Sequence, residues 1–405
     1  MLKVEEQITA ESKEKKYIGV GGLEITDEDK LMVNRVLDSN RLSYGPVTKE
    51  FENAFASLHN SKFGIFTNSG TSSLEIAIAA LKEKYNWNDG DEILVPAVTF
   101  VATANIVIMN NLKPVFVDVD PYTFNIDETK IKDKITEKTR CIIPVHLLGL
   151  PSSMSPIMKI SGEFNLRIVE DSAETMFARY MGQPVGSFGD ISCFSTYVAH
   201  YIVTGVGGIN LTSDPELAVM LRSLMNHGRD SIYISMDDSK NADKENLHEV
   251  VEKRFRFVRL GYSYRATEME AALGLSQLKR YSEILTRRKY VAKRLIDELN
   301  DLSEYLQLPF TPNDREHTFM LFGMVEKTNS KRQLVNFLED HGIETRDMLP
   351  LINQPLYEKL YGNLSNKYPV ADYLNNNAFY IGCHQYISEE EIEFVSTKIH
   401  EFYGR

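Results

Sequence analysis

The chain has 405 residues, 43% of them hydrophobic and 25% charged, with a formal net charge of −12. That is an ordinary globular balance, long enough for two domains, and it sets aside nucleic acid as the main partner, because backbone-phosphate binding needs a basic surface. No uncharged apolar run reaches the ~18 residues of a membrane span, the charged opening MLKVEEQITAESKEKKY does not read as a signal peptide, and Cys141, Cys193 and Cys383 match no metal-site spacing and fit a reducing cytoplasm.

Residues 1–16 read as a solvated arm, and 27–40 and 47–59 as helices joined by the turn-rich RLSYGPV. A rhythm follows: FGIFTNSG, a helix at 71–86, EILVPAV, a helix at 101–111, PVFVDVD, a helix at 127–136, CIIPVHLLG, a helix at 154–164, and RIVEDSA. Apolar runs that alternate with helices predict an α/β fold around a mostly parallel sheet, its strands buried on both faces. After Asp190 come ISCFSTY, a Gly-rich bend at 205–208, and GINLTS. Residues 232–256 are polar and read as a loop. Residues 266–300 read as a long, charged helical connector, and 305–405 as mixed strand and helix, with QLVNFLEDHGIETR and SEEEIEFVSTKIHEFY helical.

Several short segments carry residue types suited to chemistry. Asn68-Ser69-Gly70-Thr71-Ser72-Ser73 follows a strand and opens a helix, where free N–H groups and the helix dipole favour an anion; a glycine turn with a helix cap reads equally well. Glu170-Asp171 ends an apolar strand, the usual rim of a ligand crevice, though an aspartate capping a following helix is the plainer reading. Phe100, just past a strand end, could stack on a flat ring or simply pack. Ser195 and His200 lie in CFSTYVAHYIVTGVGG, where Gly205, Gly207 and Gly208 bend the backbone, and Arg265 opens a helical pattern in GYSYRATEMEAALGLSQL.

Taken in order, SYGPVTKEFENAFA, FTNSGTSSLEIAIAAL, GDEILVPAVTFVATANIVI, KPVFVDVDPYTFNID, IIPVHLLG, VEDSAET, GSFGDISCFS, TGVGGI and LGYSYRATEMEAALGLSQL resemble the DegT/DnrJ/EryC1/StrS sugar aminotransferase family from about residue 17 onward. The resemblance implies a PLP-dependent transferase fold of type I: a large domain over 17–265, a connecting helical region over 266–300, and a smaller C-terminal α/β domain over 301–405. It implies a homodimer with sites at the subunit interface. Gly70, Thr71 and Ser195 would hold the cofactor phosphate, Phe100 would stack on the pyridine ring, Asp171 would pair with the ring nitrogen, and Glu174 would lie near the ring.

Three positions depart from the family pattern. Where relatives carry a lysine, five residues before the first glycine of a T-G-E-G-G run, this chain has His200. Val206 replaces the acid of that run. Ser263 replaces the asparagine of a G-Y-N-Y-R run that reaches the neighbouring subunit's cofactor phosphate. The histidine resembles a subgroup of sugar 3-dehydratases typified by GDP-4-keto-6-deoxymannose 3-dehydratase. A second histidine-bearing subgroup carries an iron–sulfur cluster, which three scattered cysteines do not supply. The expectation is a pyridoxamine/pyridoxal 5'-phosphate enzyme that removes the C3 hydroxyl of a nucleotide-linked 4-keto-6-deoxy sugar, with His200 as base and glutamate as amino donor. Two other readings stay open: a transaminase making a 4-amino sugar, and a non-catalytic relative. Arg229, Arg346 and His317 are candidate phosphate or sugar contacts, each also readable as ordinary surface charge.

Overall fold

The computed structural model describes residues 17–230, 248, 253 and 255–405. The expected arm at 1–16, and nearly all of the polar loop at 232–256, lie outside them.

A seven-stranded sheet runs β1 (Phe63–Thr67), β9 (Gly208–Thr212), β8 (Ile191–Ser195), β5 (Arg167–Asp171), β4 (Thr139–Ile142), β2 (Glu92–Pro96), β3 (Lys113–Val117). Only β9 runs against the rest. A two-stranded hairpin, β6 (Arg179–Tyr180) and β7 (Gln183–Pro184), leaves the sheet between β5 and β8. Helices α1 (Asp27–Asp38), α2 (Pro46–Leu58), α3 (Gly70–Lys84), α4 (Ala102–Met109), α5 (Met154–Phe164), α6 (Pro215–Met225) and α7 (Glu268–Leu278) surround it. Strands β2, β8 and β9 are buried along their whole length, which is why, Glu92 and Asn210 aside, their sequences are apolar or small.

A four-stranded antiparallel sheet, β10 (Leu306–Gln307), β11 (Leu321–Glu326), β13 (Ala378–Gly382) and β12 (Thr345–Asp347), forms the second centre. It packs with α8 (Tyr281–Leu299), α9 (Lys331–Asp340) and α12 (Glu389–Phe402), whose apolar residues close a separate core around Phe322, Met324, Leu334, Phe379 and Ile392. Between the two cores, α10 (Pro355–Tyr361) and α11 (Pro369–Asn377) send Tyr357, Ala371 and Leu374 into the first one. Sequence order and core membership therefore do not coincide beyond residue 301.

Three elements differ from the sequence reading. The helix expected at 127–136 is two short 3₁₀ turns, Glu128–Lys130 and Lys132–Lys134. Asp127 caps Thr129 N, and Ile131 is the one fully buried side chain of the segment, too little apolar surface to hold an α-helical face. The connector at 266–300 is two helices that break at Lys279-Arg280. The stretch QLVNFLEDHGIETR stops being helical at Asp340, where Gly342 takes φ +78° and turns the chain into β12.

Candidate active site

A cavity of about 420 Å³ opens at the carboxyl ends of β1, β2, β5 and β8, within the roughly 300–1,000 Å³ of small-molecule pockets. Of the eight residues singled out from the sequence, Gly70, Thr71, Phe100, Asp171, Glu174, Ser195 and His200 line it. Ser263 does not. Its Oγ accepts a hydrogen bond from Arg265 (3.1 Å), and the same arginine lies 3.2 Å from His227 Nε2, in a separate cluster facing outward. Among the outer candidates, Arg346 of β12 pairs with Glu344, just before the strand. His317 is buried, stacked flat on Phe319 and pushed down to about 3 by burial. Arg229 lies over the rings of Phe255 and Phe257. None of the three lines the cavity.

The first wall is the entry to α3. Ser69 caps the helix by accepting from Ser72 N (3.0 Å), and the Ser72 hydroxyl donates back to Asn68 Oδ1 (2.7 Å). A Cβ on Gly70 would lie 2.8 Å from Ser195 Cβ, so glycine is what allows β8 and the start of α3 to meet. The result is a backbone cradle with Thr71 exposed at its lip, the standard geometry for an anion at a helix N-terminus.

The second wall is the end of β5, where strand alternation separates two neighbouring carboxylates. Glu170 points away from the cavity. It accepts from Gly186 N, Phe188 N, Gly189 N and the Ser192 hydroxyl, and lies 3.1 Å from His146 Nε2. Ser152 N donates to His146 Nδ1 (2.9 Å), so the imidazole proton sits on Nε2 and faces Glu170. Despite burial, His146 and the backbone donors hold Glu170 below the usual carboxylate range. Asp171 faces the cavity with far fewer donors, the Thr103 hydroxyl (2.8 Å) and Ala173 N (3.2 Å). Burial raises its carboxyl, against the lowering by those two bonds. No helix follows it, so the capping role read as its plainer alternative is not realised. A buried, under-donated carboxylate at a cavity wall fits a cationic partner, such as a protonated ring nitrogen.

Glu174 accepts from Leu148 N (2.9 Å), and burial, aided by repulsion from Asp171, raises it to about 7. Phe100 is 56% exposed at the mouth. His200 is buried, its Nδ1 without a partner among the described residues, and burial with the nearby Arg288 lowers it to about 4. Thr103, which a second hydroxyl, Thr99 Oγ1, reaches at 2.8 Å, escaped the sequence reading; the Thr-x-x-x-Thr spacing around Phe100 was its signal. Tyr380 of β13 also lines the cavity, and no sequence feature marks it. Among the described residues no group of three His, Cys, Asp or Glu could hold a metal, and no helix is long and apolar enough to cross a membrane.

These residues fit a pyridoxal-type cofactor: a cradle that a Cβ would fill, an exposed aromatic ring, and a buried carboxylate short of donors. The comparisons agree. The model of the DegT/DnrJ/EryC1/StrS aminotransferase family matches residues 23–400. GDP-perosamine synthase of Escherichia coli O157:H7 is 32% identical, over 96% of this chain and 99% of that one. GDP-4-keto-6-deoxy-D-mannose 3-dehydratase of Escherichia coli O55:H7 is 31% identical, over 90% and 94%. A solved structure of the E. coli dehydratase with bound hydrated PLP superposes with a TM-score of 0.84 at 29% identity, covering 94% of this chain and 98% of that one; another holds a trapped PLP–glutamate geminal diamine. The chain belongs to the DegT/DnrJ/EryC1/StrS aminotransferase family of PLP-dependent sugar enzymes.

Proposed function

We propose that this enzyme removes the C3 hydroxyl of a nucleotide-linked 4-keto-6-deoxy sugar, with His200 as its base. One observation carries the reading: His200 lines the cavity with Asp171 and Glu174, and among the described residues no lysine does. A transaminase of this fold needs an amine both to anchor the cofactor and to shuttle protons. An imidazole forms no stable Schiff base but is well suited to proton transfer.

Gly70, Thr71 and Ser195 would hold the cofactor phosphate, Phe100 would cover one ring face, and Asp171 would keep the ring nitrogen protonated. The cofactor supplies the electron sink. His200 would move a proton at the cofactor's amine-bearing carbon and serve as the acid for the departing C3 hydroxyl. Its depressed basicity leaves it neutral, hence ready to accept, at physiological pH. Glu174, whose carboxyl burial raises to about 7, would hold a proton beside the ring. In net balance the sugar loses one oxygen, while glutamate leaves as 2-oxoglutarate and ammonia.

We also propose a homodimer. Phe100, Tyr197, Val198 and Val206 leave an exposed apolar rim around the cavity mouth, suited to a second copy of the chain. In that arrangement Ser263 would act on the partner's site.

The test is product analysis with a panel of 4-keto-6-deoxy nucleotide sugars, cofactor and glutamate. A deoxygenated sugar, with ammonia and 2-oxoglutarate formed one for one, is expected. A 4-amino sugar without free ammonia would assign nitrogen transfer instead, the activity named for the perosamine synthase relative. Borohydride treatment with PLP should leave no covalent adduct; a stable lysine adduct would sink the mechanism.

A further inference from the structure

Arg288, on α8, is fully buried, yet among the described residues no carboxylate lies within ion-pair distance of it. A guanidinium stays charged in a protein, and an uncompensated buried charge is expensive. Its donors go instead to neutral oxygens from three separate parts of the chain. Nε donates to Gln385 Oε1 (3.0 Å), one terminal nitrogen to Met320 O (2.8 Å) and Phe319 O (3.4 Å), and the other to His200 O (3.3 Å). The guanidinium lies 4.7 Å from the centre of the Tyr201 ring, whose hydroxyl meets Thr318 Oγ1 at 2.8 Å.

We infer that Arg288 is the positioning residue for His200: it ties the His200 carbonyl to the Phe319 and Met320 carbonyls and to Gln385, and fixes a positive charge beside the His200 backbone. This rests on the reading of His200 as the base. The arrangement explains why so costly a group is kept. Burial is the main cause that keeps the imidazole in its neutral, proton-accepting form, and the charge adds to it by disfavouring a second cation nearby. The other titratable groups around the junction are Tyr197 and Tyr201 on the same segment, Asp171 and Glu174 after β5, Tyr380 on β13, and Cys383, His384 and Tyr386 beyond β13. Burial keeps His384 neutral down to about pH 4, so Arg288 is the cation of this set.

The experiment is an NMR titration of the His200 imidazole in the full-length protein, assigned by its loss in His200→Gln, together with steady-state kinetics. Arg288→Met removes the charge at similar volume and should raise the imidazole midpoint by about one unit. Arg288→Lys keeps the charge but loses the planar fork. It should leave the midpoint low while kcat falls on the order of ten- to a hundredfold at little changed KM. A folded Arg288→Met protein whose His200 midpoint matches wild type overturns the electrostatic half. If that variant does not fold, Arg288→Lys decides: wild-type kcat there overturns the positioning half. The titration does not depend on the reaction. A shifted midpoint alongside full turnover by His200→Ala would therefore uphold the link to Arg288 while rejecting His200 as the base.

Discussion

The cavity wall made by Asn68–Leu74 and Ser195 is capped by bonds between near neighbours in sequence, with Tyr264 O and Asn210 adding support from farther along, whereas the wall that carries His200 is tied to Arg288 from far along the chain. In the first, Ser69, Ser72 and Asn68 satisfy one another within a single turn, and the close approach to Ser195 needs only a missing side chain at Gly70. In the second, the His200 carbonyl is gripped by Arg288, and Gly21 presses on Ala199, where a Cβ would lie 2.9 Å from the Ala199 Cα. A cradle for a fixed anion needs rigidity that short-range bonds provide. The proposed base is tied through Arg288 to Phe319, Met320 and Gln385, so its placement depends on how those distant segments dock.

The largest expected effect breaks the second wall at its functional atom. His200→Ala should lower kcat about 10²- to 10⁴-fold, some 3–5 kcal/mol of barrier, while cofactor binding at the α3 cradle stays near wild type. Equilibrium dialysis of the cofactor and single-turnover kinetics separate the two. Full turnover would remove the base assignment.

The next prediction sharpens the contrast through pH. Burial lowers His59, His200 and His384 to about 4 and His317 to about 3. Unfolded, each would titrate near 6.5. As pH falls from 6.5 toward 4, the unfolded chain takes up protons that the folded chain refuses, so stability drops, by roughly 3 kcal/mol for a histidine shifted this far. The raised carboxyls of Asp171 and Glu174 act in the opposite sense, favouring the folded state as pH falls toward their unfolded values. Four histidines against two carboxyls leave net acid destabilisation. Denaturant melts between pH 7 and 4.5 measure it, and His200→Gln should flatten part of the slope. Flat stability across that range would contradict the burial described for these rings.

How much of this was legible in the sequence follows the same division. The α3 cradle could be read because strand, small residues, cap and helix are contiguous, and the parallel sheet could be read because buried strands are continuously apolar. Glu170 and Asp171 could be read as a pair, but which one faces the cavity depends on the donors that Gly186, Phe188 and Gly189 bring from the loop after the hairpin. Arg288 sits in TRRKYVAKR, which on charge alone is a solvated helical face; only docking of α8 against Met320 and Gln385 buries it. The 3₁₀ turns at 128–134 were read as part of a helix at 127–136 because helices alternate with strands on either side, whereas the buried apolar surface there is a single side chain.

The smallest expected effect tests whether the first wall is as rigid as its short-range bonding suggests. Gly208 opens β9 beneath the cradle, and a Cβ there would collide with the Ser69 carbonyl and lie 2.6 Å from Gly70 N. Both partners are backbone, so no flexible side chain can yield. Gly208→Ala should cost about 1–3 kcal/mol, as overpacking does, and it should act by displacing the capped entry of α3. Cofactor affinity should therefore weaken while the His200 imidazole midpoint stays where it was. A loosely held cradle would instead absorb the methyl group, and melting temperature and cofactor dissociation constant would both stay at wild-type values. If the imidazole midpoint moved as well, the two walls would be one mechanical unit, and the division between near-neighbour and long-range support would fail.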